Sequence, residues 1–456
     1  MARIFPFRAL RYNTMDVAIA DVVTQPYDKI TPAMQQAYYS RSPYNLVRLT
    51  LGLPELFDEP GRNDVYTRAA RDFVDWRQQG ILYQENEPCI YAYLQRYKAP
   101  GSSETKERRG FIALGELQDY SAGVVFRHEQ TLAKPKADRK NLLDATRAQY
   151  GPIFMLYSDP ALPVERTIFG SRFRAEIELT DEFGTEHQLA RISEPNLINI
   201  IAGAMADKKL IIADGHHRYE TALAYSREHA PATPRWQERN LSNSLPAPPY
   251  PEAATVMMFV NMDAEGLTIL PTHRVVHGLK HFDAADLLKR ADTFFTITPL
   301  TGTNTEEHLH TLATAGVEGP AFIAVFASGR YLLQAKPEPI AQALSTVSHR
   351  QRQLDVVILH SLLIEKLLGL SAEAIREETH LRYVRDANEA VQQVAETGHE
   401  NGSSQVTGES ADAAFLLNAC SLEQLREIAF GGETMPQKST DFYPKLLSGL
   451  AIYGMD

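Results

Sequence analysis

Residues 211–223 read IIADGHHRYETAL. The apolar start suits a buried strand. Asp214-Gly215 breaks it, and the inward spacing of Tyr219 and Ala222 predicts a helix beginning at His216 or His217. Gly215 permits an unusual backbone angle and lets a ligand approach the main chain. The free N–H groups of a starting helix favour an anion above the turn. Arg218 can add two parallel bonds to phosphate oxygens. His216 and His217 can donate hydrogen bonds or carry a proton. Asp214 can hold the Mg²⁺ that accompanies a phosphate, or simply cap the helix. A capped helix with surface histidines would use the same residue types. The density of Gly-His-His-Arg at one junction favours a phosphate site. Adjacent helical side chains diverge, so the two histidines make a poor pair for zinc, and no HExxH pattern is present.

Around this stretch the chain alternates helices, strands and hairpins, which predicts a mixed α/β, or α+β, protein. Thr31 and Pro32 open a helix, and Asp64 to Gly80 is helical by its apolar spacing. CIYAYLQRY and RRGFIALGEL form a hairpin, as does AEIELTDEFGTEHQLARI. A helix over Asn196–Asp207 precedes the strand KLIIA. TVMMFVNM is a strand, FDAADLLKRADTFF a helix, AFIAVFASGRYLLQA a hairpin and LDVVILHSLLIEKLLGL an amphipathic helix. AAFLLNAC is a strand, and SLEQLREIAFGG a helix capped by Ser421. Residues 231–252 read as a surface loop or domain joint, and 395–412 as a flexible loop. Two domains are expected: 1–235, holding the phosphate-binding core, and 253–456, whose tail loop 433–449 returns to the active site.

The chain has 456 residues and a formal net charge of -11, which weighs against a duplex-binding role and makes any basic pocket stand out. No apolar run is long enough to span a membrane, and the N-terminus does not read as a signal peptide. Cys89 and Cys420 are the only cysteines, too few for a disulfide framework. A cytoplasmic enzyme, monomeric or homodimeric, without nucleic acid or membrane partners, is the simplest expectation.

Three further clusters carry polar chemistry. FRHEQTLAKPKADRK places His128 and Glu129 ahead of Lys134, Lys136, Asp138 and Arg139. ETMPQKSTDFYPK gathers Lys438, Ser439, Thr440 and Lys445, an inventory suited to a phosphate or carboxylate, though its spacing is not that of a P-loop. LPTHRVVHG sets Thr272, His273 and Arg274 after a strand, either as an anion contact or as a hydrogen-bonded strand end. Tyr27 and Asp28 in QPYDKI are candidate site-lining residues.

GHHRYETA resembles the phosphate-binding box of the ParB/sulfiredoxin superfamily. Sulfiredoxins carry Gly-Cys-His-Arg-Tyr; His216 stands at the cysteine position here, which argues against sulfinic acid reduction. ParB proteins add a helix-turn-helix domain that this chain does not show. The form Asp-Gly-His-x-Arg is similar to that of free-serine kinases. From Pro26–Asp28 to its end the chain resembles a long bacterial family that includes pyrophosphate-dependent members. The resemblance implies a ParB/sulfiredoxin-like core with an added α+β domain. It also implies transfer of a phosphoryl group from pyrophosphate, or from ADP or ATP, to L-serine with Mg²⁺. Glu129 takes the place of the catalytic glutamate by its order upstream of the box. Asp214, His128 and His217 join it, while Gly215, His216, Arg218, Arg139, Lys438, Ser439, Thr440 and Lys445 hold phosphate. Tyr27, Asp28, Thr272, His273 and Arg274 contact substrate. The alternative is a nucleotide-binding regulator without a small-molecule acceptor.

Overall fold

The strand, turn and helix expected at 211–223 are all present. The computed structural model describes residues 1–129, 133–170, 173–232, 245–395 and 411–455, with 133–135 and 376 by backbone alone. Two compact units divide the chain: unit 1 is Met1–Arg127, Thr131–Thr268 and Phe442–Asp456, and unit 2 is His128–Gln130 and Ile269–Asp441. Expected domains of 1–235 and 253–456 place the chain differently. The strand at 254–261 and the last residues of the tail belong to unit 1. The segment 231–252 therefore joins two elements of unit 1; its residues 233–244 lie outside the described residues, as do 396–410 of the second expected loop.

Unit 1 is built on a nine-stranded mixed sheet. In chain order its strands are β1 (Ile4–Phe5), β2 (Ile90–Lys98), β3 (Thr105–Glu116), β4 (Val125–Phe126), β5 (Ile153–Tyr157), β6 (Ile177–Thr180), β7 (Glu186–Ile192), β8 (Leu210–Asp214) and β9 (Ala254–Asn261). Their spatial order is β4-β8-β5-β9-β3-β2-β7-β6, with β1 paired to β3. The β4–β8 and β5–β9 pairs are parallel and the others antiparallel. Every residue of β9 is buried: Val256–Val260 is the apolar run expected of a central strand, and Thr255 and Asn261 flank it. The longer helices of the unit are α1 (Pro32–Arg41), α2 (Val65–Gln78), α3 (Ala133–Thr146), α4 (Pro195–Met205) and α5 (His216–His229). Thr31 caps α1 as expected, and Asp64, expected inside the second helix, instead caps α2 in a capping box. One core joins Ile198, Ile201 and Met205 of α4 to Met155, Ile212, Met257 and Phe259. A second joins Phe73 and Trp76 of α2 to Leu142 and Tyr150.

Unit 2 carries a six-stranded antiparallel sheet. Its strands are β10 (His273–His277), β11 (Phe295–Leu300), β12 (Ala321–Phe326), β13 (Gly329–Ala335), β14 (Leu381–Val384) and β15 (Ala411–Leu417), ordered β11-β13-β12-β15-β10-β14. The helix expected through FDAADLLKRADTFF stops at Ala291, and Phe295 already opens β11. The expected amphipathic helix after Leu354 is α-helical only over Asp355–Ile358; Leu359–Leu367 takes the wider π turn. Val356, Val357, Ile358, Leu359, Leu362, Leu363 and Ile364 are all buried, and so broad an apolar surface does not distinguish the two windings. Among the described residues no helix is long and apolar enough to cross a membrane.

Candidate functional site

The unit 1 candidate site starts with a defect in β8. Its register against β5 shifts between Ile212 and Asp214, a bulge that re-aims the end of the strand. Gly215 follows at φ 96° and hands the chain to α5. A Cβ at Gly215 would lie 2.9–3.1 Å from the Arg218 guanidinium, so glycine serves both the backbone angle and the side chain folded over it. Arg218 Nη1 donates to the carbonyls of Pro152 at 2.7 Å and Gly151 at 3.3 Å. Among the described residues it has no carboxylate within ion-pair distance, and its Nε and Nη2 donate to none of them. His216 is buried and His217 half-buried on the same first turn.

Lys445 Nζ lies 3.1 Å from Asp214 Oδ2, with the side chains 9% and 21% exposed. Burial alone would raise the Asp214 carboxyl, but Lys445, Arg218 and Lys29 outweigh it and hold the group well below the usual carboxylate range. Tyr27 and Lys29 share the short turn Tyr27–Lys29, while Asp28 between them is exposed. Arg139 of α3 stacks over the Tyr27 ring, its Cζ 3.9 Å from the centroid. Burial raises the Tyr27 hydroxyl, and the charges of Arg139 and Arg218 pull it back. The structure thus gathers Tyr27, Arg139, Asp214, Gly215, Arg218 and Lys445 within one unit.

Lys445 is fixed from behind. Its carbonyl accepts from Gln95 Nε2 at 2.9 Å, and the Pro444 carbonyl accepts from Arg108 Nη2 at 2.6 Å. Arg108 Nε donates to Gln95 Oε1 at 3.0 Å. Arg108 is fully buried with no described carboxylate within ion-pair distance, and burial pushes its guanidinium down to about 10, more than Tyr97, Tyr93 and Asp214 pull it back. Tyr93 and His187 continue the network at 2.7 Å, and His187 Nε2 reaches Asp181 at 3.2 Å. Sequence reasoning missed Gln95, Arg108 and Lys29. The available signal was a polar residue at an inward position of an otherwise apolar strand, as Gln95 is in β2.

Unit 2 holds the other candidates. His128 Nε2 and Thr440 Oγ1 are 2.7 Å apart. Glu129 Oε1 accepts from the backbone of Ser439 at 3.0 Å, and from Thr440 N at 3.3 Å and Oγ1 at 3.4 Å. Its second oxygen has no partner among the described residues. Lys438 sits at the start of this turn with φ 56°. Arg274 is buried and donates to the carbonyls of Thr272, Gln437 and Lys438 and to His360. His273, also buried, accepts from Leu417 N through Nδ1 at 3.2 Å. What His273 and Arg274 touch is therefore the chain itself, including the segment that carries Lys438. The expected tail loop divides: 433–441 lies in unit 2, and Lys445 in unit 1 meets Asp214.

Among the described residues no group of three His, Cys, Asp or Glu could hold a metal ion. Asp214 is one carboxylate, already paired with a lysine. With Lys445, Arg218 and Lys29 around it, that carboxylate does not by itself cage a dication.

Comparison with known proteins gives a family and distant folds. The family described as "Protein of unknown function (DUF1015)" matches residues 4–357. No curated protein matches the chain. A solved free serine kinase in complex with AMP is similar with a TM-score of 0.32 and 12% identity, over 70% of this chain and 83% of that one. A conserved hypothetical protein from Pyrococcus furiosus gives 0.32 and 13%, over 71% and 90%. SbnI with C-terminal truncation from Staphylococcus aureus gives 0.33 and 11%, over 73% and 82%. At these values the likeness carries no weight for the chemistry.

Proposed function

The chain belongs to the DUF1015 family, and for this member we propose a small-molecule phosphotransferase that moves a phosphoryl group to the hydroxyl of free L-serine. The observation that carries the reading is the Asp214–Arg218 turn. There an open helix end, the unspent donors of Arg218, and Lys445 and Lys29 around Asp214 concentrate positive charge in a protein of net charge -11. Such a turn suits the oxygens of a phosphoryl donor.

Pyrophosphate is the donor in this reading: the serine oxygen bonds to one phosphorus, the P–O–P bond breaks and orthophosphate leaves; ADP or ATP, which would release AMP or ADP, are the alternatives. Arg218 and the N–H groups beyond Gly215 bind the donor's phosphates, and Lys445 neutralises charge beside them. Mg²⁺, brought by the phosphates with Asp214 as a protein ligand, supplies further charge neutralisation when bound. His216 and His217 donate hydrogen bonds at the same turn. Glu129, whose Oε2 meets no described partner, is the carboxylate this reading assigns to the proton of the serine hydroxyl, its Oε1 held by Ser439 and Thr440 and Thr440 in turn by His128. Catalysis is then mostly positioning and electrostatics.

Purified protein incubated with Mg²⁺, L-serine and, separately, pyrophosphate, ADP and ATP should yield phosphoserine by mass spectrometry with one donor. No product with any donor would sink the reading. Nucleotide hydrolysis without use of serine would favour a nucleotide-driven regulator.

A further inference from the structure

We propose that a cavity in unit 1, bounded by Tyr27, Arg139, Leu143, Tyr150, Arg218 and Thr221, is a binding site for a small carboxylate, recognised by Arg139 and Thr221. If the phosphotransferase reading holds, it seats the carboxyl end of the acceptor.

Size comes first. The cavity measures about 80 Å³. A water needs roughly 10–15 Å³ of such space, so the cavity holds a handful of non-hydrogen atoms. That suits a three- or four-carbon amino or hydroxy acid and is far too small for a nucleoside.

Chemistry comes second. Thr221 is 5% exposed, and its Oγ1 has no hydrogen-bond partner among the described residues. Leaving a buried hydroxyl unpaired costs about 1–3 kcal/mol, a cost that a polar occupant removes. Arg139 spends Nε on Asp138 at 2.7 Å and Nη2 on the Thr50 carbonyl at 3.0 Å, while its Nη1 hydrogen-bonds to no described residue. The Arg218 donors left over from the Gly151 and Pro152 carbonyls add to the same side. Asp138 compensates Arg139, while Arg218 has no described carboxylate within ion-pair distance and the nearby Asp214 is already paired with Lys445, so positive charge is left at this side of the cavity. Leu143 and the Tyr150 ring add apolar surface to the lining, beside which a guanidinium–carboxylate contact is stronger than in open water.

The test is calorimetric titration of the full chain with L-serine, glycerate, L-serinamide and adenosine, with and without pyrophosphate. Serine and glycerate should bind; serinamide, which lacks the carboxylate, and adenosine should not. Thr221→Val should weaken serine binding about tenfold, and Arg139→Met by roughly 10- to 100-fold, with pyrophosphate affinity unchanged in Thr221→Val. Equal binding of serine and serinamide, occupation by adenosine, or no effect of either substitution would overturn the site. So would failure of every carboxylate to bind wild-type protein. Should Arg139→Met not fold, Thr221→Val, which removes a hydroxyl that bonds to no described residue, decides alone. Failure of the phosphotransferase reading looks different: pyrophosphate would not bind and no phosphoserine would form, yet carboxylate binding would still depend on Thr221.

Discussion

Gly215 is the residue on which the turn depends. At φ 96°, with the Arg218 guanidinium folded over it, it leaves no room for a side chain. Gly215→Ala should cost about 1–3 kcal/mol in urea unfolding and displace Arg218, with pyrophosphate affinity falling alongside. Unchanged affinity in a folded variant would separate Arg218 from the donor. Asp214 makes a pH prediction. Its folded value is depressed, so its contribution is full above the unfolded value near 4 and is lost only as pH falls through the lower folded value. Lys445→Met removes the strongest cation and lets burial dominate, so acid unfolding followed by circular dichroism should begin at higher pH. An identical onset would mean that Lys445 does not hold the carboxylate. His273 works in the same direction for a different reason. Burial and Arg274 push it down to about 4, so the folded state excludes a proton that the unfolded chain takes up near 6.5. Stability from His273 is full above that pH and is lost as pH falls towards 4. His273→Asn, which does not titrate, should flatten that part of the urea-stability curve.

At the scale of elements, β2 and β3 act as a clamp on the tail. Gln95 and Arg108 hold the carbonyls of Lys445 and Pro444, so loosening either should free the Lys445 ammonium from Asp214. Mass-spectrometric lysine labelling can read this directly. In Gln95→Leu, Lys445 should label faster while Lys208, paired with Asp159 in the same unit, stays slow as an internal control. A parallel rise in both would indicate general loosening instead of a clamp. This layer shows where sequence reading stops. The switch from an apolar run to a helical spacing at Asp214 exposed β8 and α5, and Ser421 announced its helix, because those signals are local. Strand alternation says that Gln95 and Arg108 face inward, but not that their partners lie some 350 and 336 positions away. The π winding after Ile358 escaped for a related reason, since a broad apolar surface reads alike in both windings. Lys438, Ser439 and Thr440 were legible as a polar turn; that Glu129 would anchor it was not.

At the scale of the molecule, unit 1 closes only with the last residues of the chain. The family match ends at residue 357, and the chain then completes unit 2 before Phe442 re-enters unit 1. This return is part of the core. Phe442, Leu446, Leu447, Leu450, Ile452 and Met455 are all buried. Backbone bonds lock the segment down: Leu10 and Ile452 exchange a pair at 2.8 and 3.0 Å, Ser448 N donates to Thr24 O at 2.8 Å, and Gly449 N to Tyr150 O at 2.8 Å. Each large apolar side chain stabilises by about 1.5–3 kcal/mol, so the segment as a whole rivals the net stability of a domain, about 5–15 kcal/mol. Removing 442–456 should therefore unfold unit 1, not merely delete Lys445. Limited proteolysis of the truncated protein should leave unit 2 fragments and digest β2, β3 and β9. A truncated chain that keeps those strands protected would show that the segment is an accessory and would limit its role to delivering Lys445. Lys445→Met in the full-length chain separates the two effects, because it removes the ammonium and leaves the buried side chains in place.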